Sequence, residues 1–278
     1  MPLLHAIVLG IVQGLTEFLP VSSSAHLALV PWLLGWKDQG LSFDIALHIG
    51  TLAAMIIYFF KDWLQVIGQG IGLDLGFDPA LRRNKQLFWL LVLASIPAGV
   101  IGLLVKDLAE NVWRYNQYLI GTMFIVVGIF MWWCDKISHK GKDLGHVTLV
   151  DALCIGAAQA LALVPGTSRS GITISVGLLR NLDRSSAARF SFLLATPATA
   201  GAAAKDFYDM YKHGGGIPSD MQTAFIVGIL VSGLTGIVVI QFFLNYLRKR
   251  SLNFFVTYRI IFGIIVIALA TFFRYNGR

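Results

Sequence analysis

Charge is scarce in this chain. Asp, Glu, Lys and Arg together make 13% of its 278 residues, while 56% are hydrophobic. A soluble domain carries about a quarter of its residues charged, so a solvated exterior around a single core is excluded. Cysteine is scarcer still. Cys134 and Cys154 are the only two, with no Cys-x-x-Cys or Cys/His spacing, which excludes a zinc module and a disulfide framework. Both read as bystanders in or beside apolar runs. The amino terminus also lacks the basic stretch and small-residue cleavage site of a secretory signal, so Met1 is expected to be retained.

Long apolar runs are what the chain has in abundance, and its mean hydropathy is +0.71. A bilayer span takes roughly 20 mostly apolar residues. Runs at 43–63, 88–105, 118–134, 190–204, 223–247 and 258–273 qualify and predict an all-α, polytopic membrane protein. Two further segments are shorter and interrupted. The first reads Gln13-Gly-Leu-Thr-Glu17-Phe-Leu-Pro20-Val-Ser22-Ser23-Ser24-Ala-His26, and the second contains Pro165-Gly-Thr167-Ser168-Arg169-Ser170-Gly-Ile-Thr173. Apolar pieces at 3–19 and 25–36, and again at 149–164 and 172–179, flank these interruptions. Each pair predicts a re-entrant helix hairpin, because non-helical backbone at membrane depth is tolerated only inside protein or a water-filled cavity.

An ordered series of matches predicts an internal duplication. Gly10, Gln13 and Leu15 recur as Gly156, Gln159 and Leu161; Pro20 answers to Pro165, Lys61-Asp62 to Lys205-Asp206, and Ser95 to Ser232. The chain therefore reads as one membrane domain with repeats at about 1–140 and about 148–278. A hairpin plus three spans in each half inverts the second repeat relative to the first. Paired interrupted segments in inverted repeats point to a binding site near the midplane. Of the loop cations, fourteen fall on one side (Lys61, Arg82, Arg83, Lys85, Lys136, Lys140, Lys142, Arg180, Arg184, Arg189, Arg248, Lys249, Arg250, Arg259) and seven on the other (Lys37, Lys106, Arg114, Lys205, Lys212, Arg274, Arg278). The positive-inside rule makes the first side cytoplasmic, with both termini and the mouth of the first hairpin outside. The formal charge of +7 then sits mainly against anionic inner-leaflet lipid.

The interruptions carry the chemistry. On a helix Gln13 and Glu17 share a face, while Gly10 and Gly14 leave room for close packing. Ser22, Ser23 and Ser24 precede a half-helix, where one hydroxyl is expected to cap and the free N–H groups suit phosphate. A serine there becomes a nucleophile if a base is near, and His26 is placed to be that base or the proton donor to a leaving group. The second loop adds Arg169, whose fork suits bidentate phosphate binding, together with Thr167, Ser168, Ser170 and Thr173. Glu17 and Arg169 at the bilayer centre would each cost roughly 2.5–3.5 kcal/mol, against a typical total stability of about 5–15 kcal/mol. Simple pairing offsets part of that and is the bland alternative, but it leaves the hydroxyl cluster unexplained. Leu163 stands where the second repeat would have its Glu17, and no histidine follows Pro165. One half thus supplies acid and base, the other an anion clamp.

At these residues the chain resembles the integral-membrane undecaprenyl-diphosphate phosphatase family of the bacitracin-resistance type. Two motifs carry the resemblance, Gln13-xxx-Glu17 leading into Pro20-Val-Ser22-Ser23 and Pro165-Gly-Thr-Ser-Arg169-Ser-Gly-Ile-Thr173, and it covers nearly the whole chain. It implies hydrolysis of the terminal phosphate of a C55 polyprenyl diphosphate at the outer face of a bacterial inner membrane. Catalytic roles would fall on Glu17, Ser23, His26 and Arg169. Gln13, Ser22, Ser24, Thr167, Ser168, Ser170 and Thr173 are the expected phosphate-binding residues. A divalent cation, Mg2+ or Ca2+, is also implied, with Glu17 as the nearby carboxylate; one carboxylate is a thin site for a hard cation. The expected partners are the polyprenyl diphosphate and membrane lipids, with no nucleic acid, and a homodimer is left open. Whether serine or water attacks is also left open. A polyprenyl-phosphate flippase built on the inverted repeat is the alternative. The type-2 phosphatidate phosphatase class is disfavoured, since only Ser24-Ala-His26 matches its elements.

Overall fold

A computed structural model describes residues 1–139, 141–213 and 221–275; Lys140 and Arg278, counted above among the loop cations, lie outside them. The α-helices are α1 Leu3–Thr16, α2 Ser23–Leu34, α3 Leu41–Tyr58, α4 Phe60–Gly70, α5 Pro79–Arg83, α6 Leu87–Asn111, α7 Gln117–Ile137, α8 Leu149–Leu161, α9 Arg169–Leu179, α10 Arg184–His213, α11 Gln222–Leu247 and α12 Asn253–Tyr275. Among the described residues the one β-type contact is an isolated bridge, Lys142 to Leu182. The all-α polytopic reading holds.

Local chemistry explains the boundaries that matter. Thr148 and Asp151 form a reciprocal capping box that starts α8, and Asp78 accepts from the Ala80 and Leu81 amides to start α5. Helices α1 and α8 stop at Thr16 and Leu161, a few residues ahead of Pro20 and Pro165, because proline lacks the amide that would continue them. Gly35, at φ +66°, closes α2 in the left-handed conformation that glycine adopts freely.

Among the described residues five helices are long and apolar enough to cross a membrane: α3, the Leu87–Val105 portion of α6, α7, α11 and α12. Two expected spans need correction. The run 43–63 is broken at Phe59, so α3 ends at Tyr58 and α4 starts at Phe60. That turn brings Asp62 to the end of the bundle, where Arg189 binds it at 2.7 Å. The run 190–204 lies inside the 30-residue α10, which at 1.5 Å per residue is about 45 Å long but rich in Ala, Ser and Thr. Its Ala187, Ala188, Phe190, Phe192, Leu193, Leu194 and Ala195 are all buried. An interior helix is not selected for an apolar outer face.

The halves are interlocked. Helix α1 packs on α11 and α8 on α6, while α3 lies against α11 and α10, α10 against α6, and α7 against α12. The glycines set the spacing. A Cβ on Gly14 would come within 2.5 Å of the Thr235 Cβ, and one on Gly156 within 2.1 Å of the Ala94 carbonyl oxygen. The two hairpins enter from opposite ends. His5 near the start of α1 stacks on Trp36 beyond the end of α2 at 3.7 Å, whereas Asp151 at the start of α8 meets Arg180 beyond the end of α9 at 2.7 Å. Their loops meet between α3, α7, α10 and α12.

Candidate active site

Each hairpin loop ends on a serine held at positive φ, Ser22 at +73° and Ser168 at +71°. A non-glycine residue in this region costs of order 1 kcal/mol and persists where its surroundings fix it. The two serines then diverge. Ser168 Oγ accepts from the Gly171 amide at 3.1 Å and caps α9. Ser22 makes no cap on α2, contrary to expectation. Its Oγ is turned across the interface to accept from the Gly166 amide of the other loop at 3.2 Å. The first turn of α2 is therefore without a side-chain cap where Ser23 is half-buried and Ser24 exposed.

A second tie closes the same interface. Ser170 Oγ donates to the Leu19 carbonyl at 3.1 Å. Arg259 was counted above as a loop cation, yet it is wholly buried and donates to Pro20 O at 3.2 Å, Gly166 O at 2.7 Å, Met123 O at 3.1 Å and Phe124 O at 3.3 Å. One guanidinium thus stitches both loops to α7.

Glu17 sits at the centre and is 7% exposed. Its Oε2 accepts from Ser23 Oγ at 2.5 Å and from Gln13 Nε2 at 3.1 Å. Its Oε1 is bound by the Arg169 guanidinium, which also donates to Thr199 Oγ1 at 2.5 Å and to the Ala195 carbonyl at 3.4 Å. His48 Nε2 lies 3.6 Å from Glu17 Oε2. Gln13 also reaches Thr51 Oγ1 at 3.4 Å.

The sequence placed Glu17, Ser23, Arg169, Gln13, Ser22 and Ser24 together, and the fold does the same. His26 is near but engaged at both nitrogens, Nδ1 with Ser22 O at 2.7 Å and Nε2 with Tyr258 Oη at 2.6 Å. A carbonyl only accepts, so Nδ1 carries the hydrogen and Nε2 accepts from the tyrosine. Thr173 is turned away, its Oγ1 bonded to Arg169 O at 2.7 Å and to Ser191 Oγ at 2.6 Å. Thr167 is fully buried, with no partner for its hydroxyl among the described residues.

His48, Tyr258, Thr199 and Arg259 were missed. His48 and Arg259 had a signal, since an ionisable residue inside an apolar run is a functional candidate by default. The donor set does not fit a resident divalent cation. No three His, Cys, Asp or Glu residues cluster among the described residues, and the one central carboxylate is already shared between a guanidinium, a hydroxyl and an amide.

Fold and site together define a polytopic helical membrane protein with a serine, carboxylate and guanidinium brought together where two interhelical loops meet. A family model described as "Bacitracin resistance protein BacA" matches residues 6–265. The undecaprenyl-diphosphatase of Pelotomaculum thermopropionicum is 46% identical over 274 residues, 97% of each chain. That of Moorella thermoacetica is 42% identical, covering 97% of this chain and 98% of its own, and that of Thermodesulfovibrio yellowstonii is 45% identical over 98% of both. The chain belongs to the BacA family of bacitracin resistance proteins.

Proposed function

We propose that this protein hydrolyses undecaprenyl diphosphate to undecaprenyl phosphate and inorganic phosphate, recycling the lipid carrier of peptidoglycan synthesis and conferring bacitracin resistance. The observation that carries the reading is the Ser23 hydroxyl donating to Glu17 at 2.5 Å while Arg169 grips the other oxygen of the same carboxylate. A nucleophile on its base, with an anion-binding fork alongside, is the arrangement phosphoryl transfer needs. There catalysis is mostly positioning and charge stabilisation.

Ser23 is the nucleophile in this reading and Glu17 its base. Arg169 swings part of its fork onto the phosphate oxygens as negative charge develops. The uncapped start of α2, with Ser24, offers N–H and O–H donors to the terminal phosphate. His26, sealed between Ser22 and Tyr258, orients the turn that carries Ser23. Gln13 holds Glu17 in register, and Ser22, Ser168 and Ser170 hold the loops. The two halves form inverted repeats, a reading supported by the crossed packing of α1 on α11 and α8 on α6. With Arg259 withdrawn from the loop count, thirteen cations against seven still favour the α8 end as cytoplasmic. The termini and the first hairpin then face outward.

Phosphate release from farnesyl or undecaprenyl diphosphate by the purified protein in detergent tests the reading. Release that collapses in Glu17→Ala is the expected result. A well-folded wild type that releases none overturns it.

A further inference from the structure

Ser23, Glu17 and the substrate account for bond making and breaking, but they leave one proton without an exit. As the Ser23 Oγ–P bond forms, the P–O bond to the lipid phosphate breaks, and the lipid phosphate leaves with the electron pair. The hydroxyl proton passes to Glu17. That proton must leave before Glu17 can take another from the water that attacks the phosphoserine. In this second step the water oxygen bonds to phosphorus, the Oγ–P bond breaks and Glu17 returns the proton to Ser23. The overall reaction releases the first proton to solvent.

Most of what surrounds Glu17 cannot carry it. Arg169 has no acceptor, and Gln13 presents its amide N–H to the carboxylate. His26 is closed by Ser22 O and Tyr258 Oη. His48 differs in three respects. Its Nδ1 is 2.8 Å from the Asp44 carbonyl oxygen, so Nδ1 carries the hydrogen and the bare Nε2 faces outward from that bond. That Nε2 is 3.6 Å from Glu17 Oε2, where two lone pairs attract only with a proton between them. And the His48 side chain is 30% exposed, against 4% for Glu17.

We propose that His48 is the proton exit of the site, taking the proton from Glu17 through Nε2 and delivering it to solvent. The charged groups around this path are Glu17 and Arg169 at the loops and Asp44 on α3. The Asp44 carboxylate is held by Arg114 at 2.6 Å. The inference rests on Glu17 being the base, but not on serine rather than water being the nucleophile. Either attack puts a proton on Glu17.

The test uses the full chain in detergent and farnesyl diphosphate radiolabelled in its terminal phosphate. His48→Gln puts a polar carboxamide in place of the imidazole near Glu17 and should elute and melt like wild type, yet turn over on the order of 100-fold more slowly, the usual worth of a proton-transfer group. Imidazole added at constant pH should restore part of the rate, and acid-quenched samples should show phosphoenzyme accumulating. Imidazole rescue without phosphoenzyme keeps the proton exit and replaces serine by water. Wild-type turnover in His48→Gln, or a slow variant that imidazole leaves unchanged, overturns the exit. Full activity in Glu17→Ala overturns the base reading instead, so the two failures are separable.

Discussion

Arg169 and Arg259 are both guanidiniums inside a helix bundle, and their partners assign them different work. Arg169 is bound to a carboxylate and a threonine and keeps 22% of its side chain exposed. Arg259 is wholly enclosed by four backbone carbonyls and lies over the Phe124 ring at 5.1 Å. Arg169→Lys retains charge but not the planar fork and should lower kcat/KM about 100- to 1,000-fold, the scale of losing one transition-state donor, with the melting temperature little changed. Wild-type kinetics in that variant would remove Arg169 from the mechanism. The sequence exposed Glu17, Ser23 and Arg169 because each is costly or reactive where it stands. Arg259 was misread as a loop cation because it lies near a predicted span end, and only the folded chain shows the end wrapped around it. His48 escaped notice for a similar reason. Its neighbour Glu17 lies on the far side of α2 in sequence, and nothing in an apolar run announces which face a histidine takes.

At the scale of elements, hairpins, spans and small-residue contacts were readable from proline positions, run length and glycine spacing. The break at Phe59 was not, since apolar composition continues across it and the Asp62–Arg189 pair beyond it joins residues far apart in sequence. One of the tightest contacts is between α8 and α6, where Gly156 lies against the Ala94 carbonyl. Gly156→Val would force α8 outward and should destabilise the protein by about 1–3 kcal/mol, the usual cost of overpacking; a thermal melt in detergent measures it. The same end of the bundle has a pH-sensitive tie. Burial raises the Asp78 carboxyl, but the hydrogen bond and charge of Arg189 outweigh burial and hold it below its ordinary value of 3.8. A lowered folded value stabilises fully above the unfolded one and is lost as pH falls through the folded one. The melting temperature should therefore drop more steeply below pH of about 4 in wild type than in Asp78→Asn. Parallel profiles would show that the pair contributes nothing.

For the whole molecule, orientation was legible only as a charge bias, and the fold sharpens it by placing named residues at opposite ends. In a Cys134→Ser, Cys154→Ser background, a cysteine at Gln39 should react with an impermeant maleimide in intact cells, and one at Arg250 only after permeabilisation; the reverse pattern would invert the protein. The crossed packing has a further consequence, in the order of synthesis. Helix α1 and its Glu17 leave the ribosome long before α11, yet the surface they lie on belongs to α11, and Gly10 and Gly14 lack their closing partners until residues 228–235 are made. The first hairpin must therefore wait in the membrane, its polar loop unpartnered, until nearly the whole chain has been inserted. The loop that carries Ser23 is thus completed late although it is translated early.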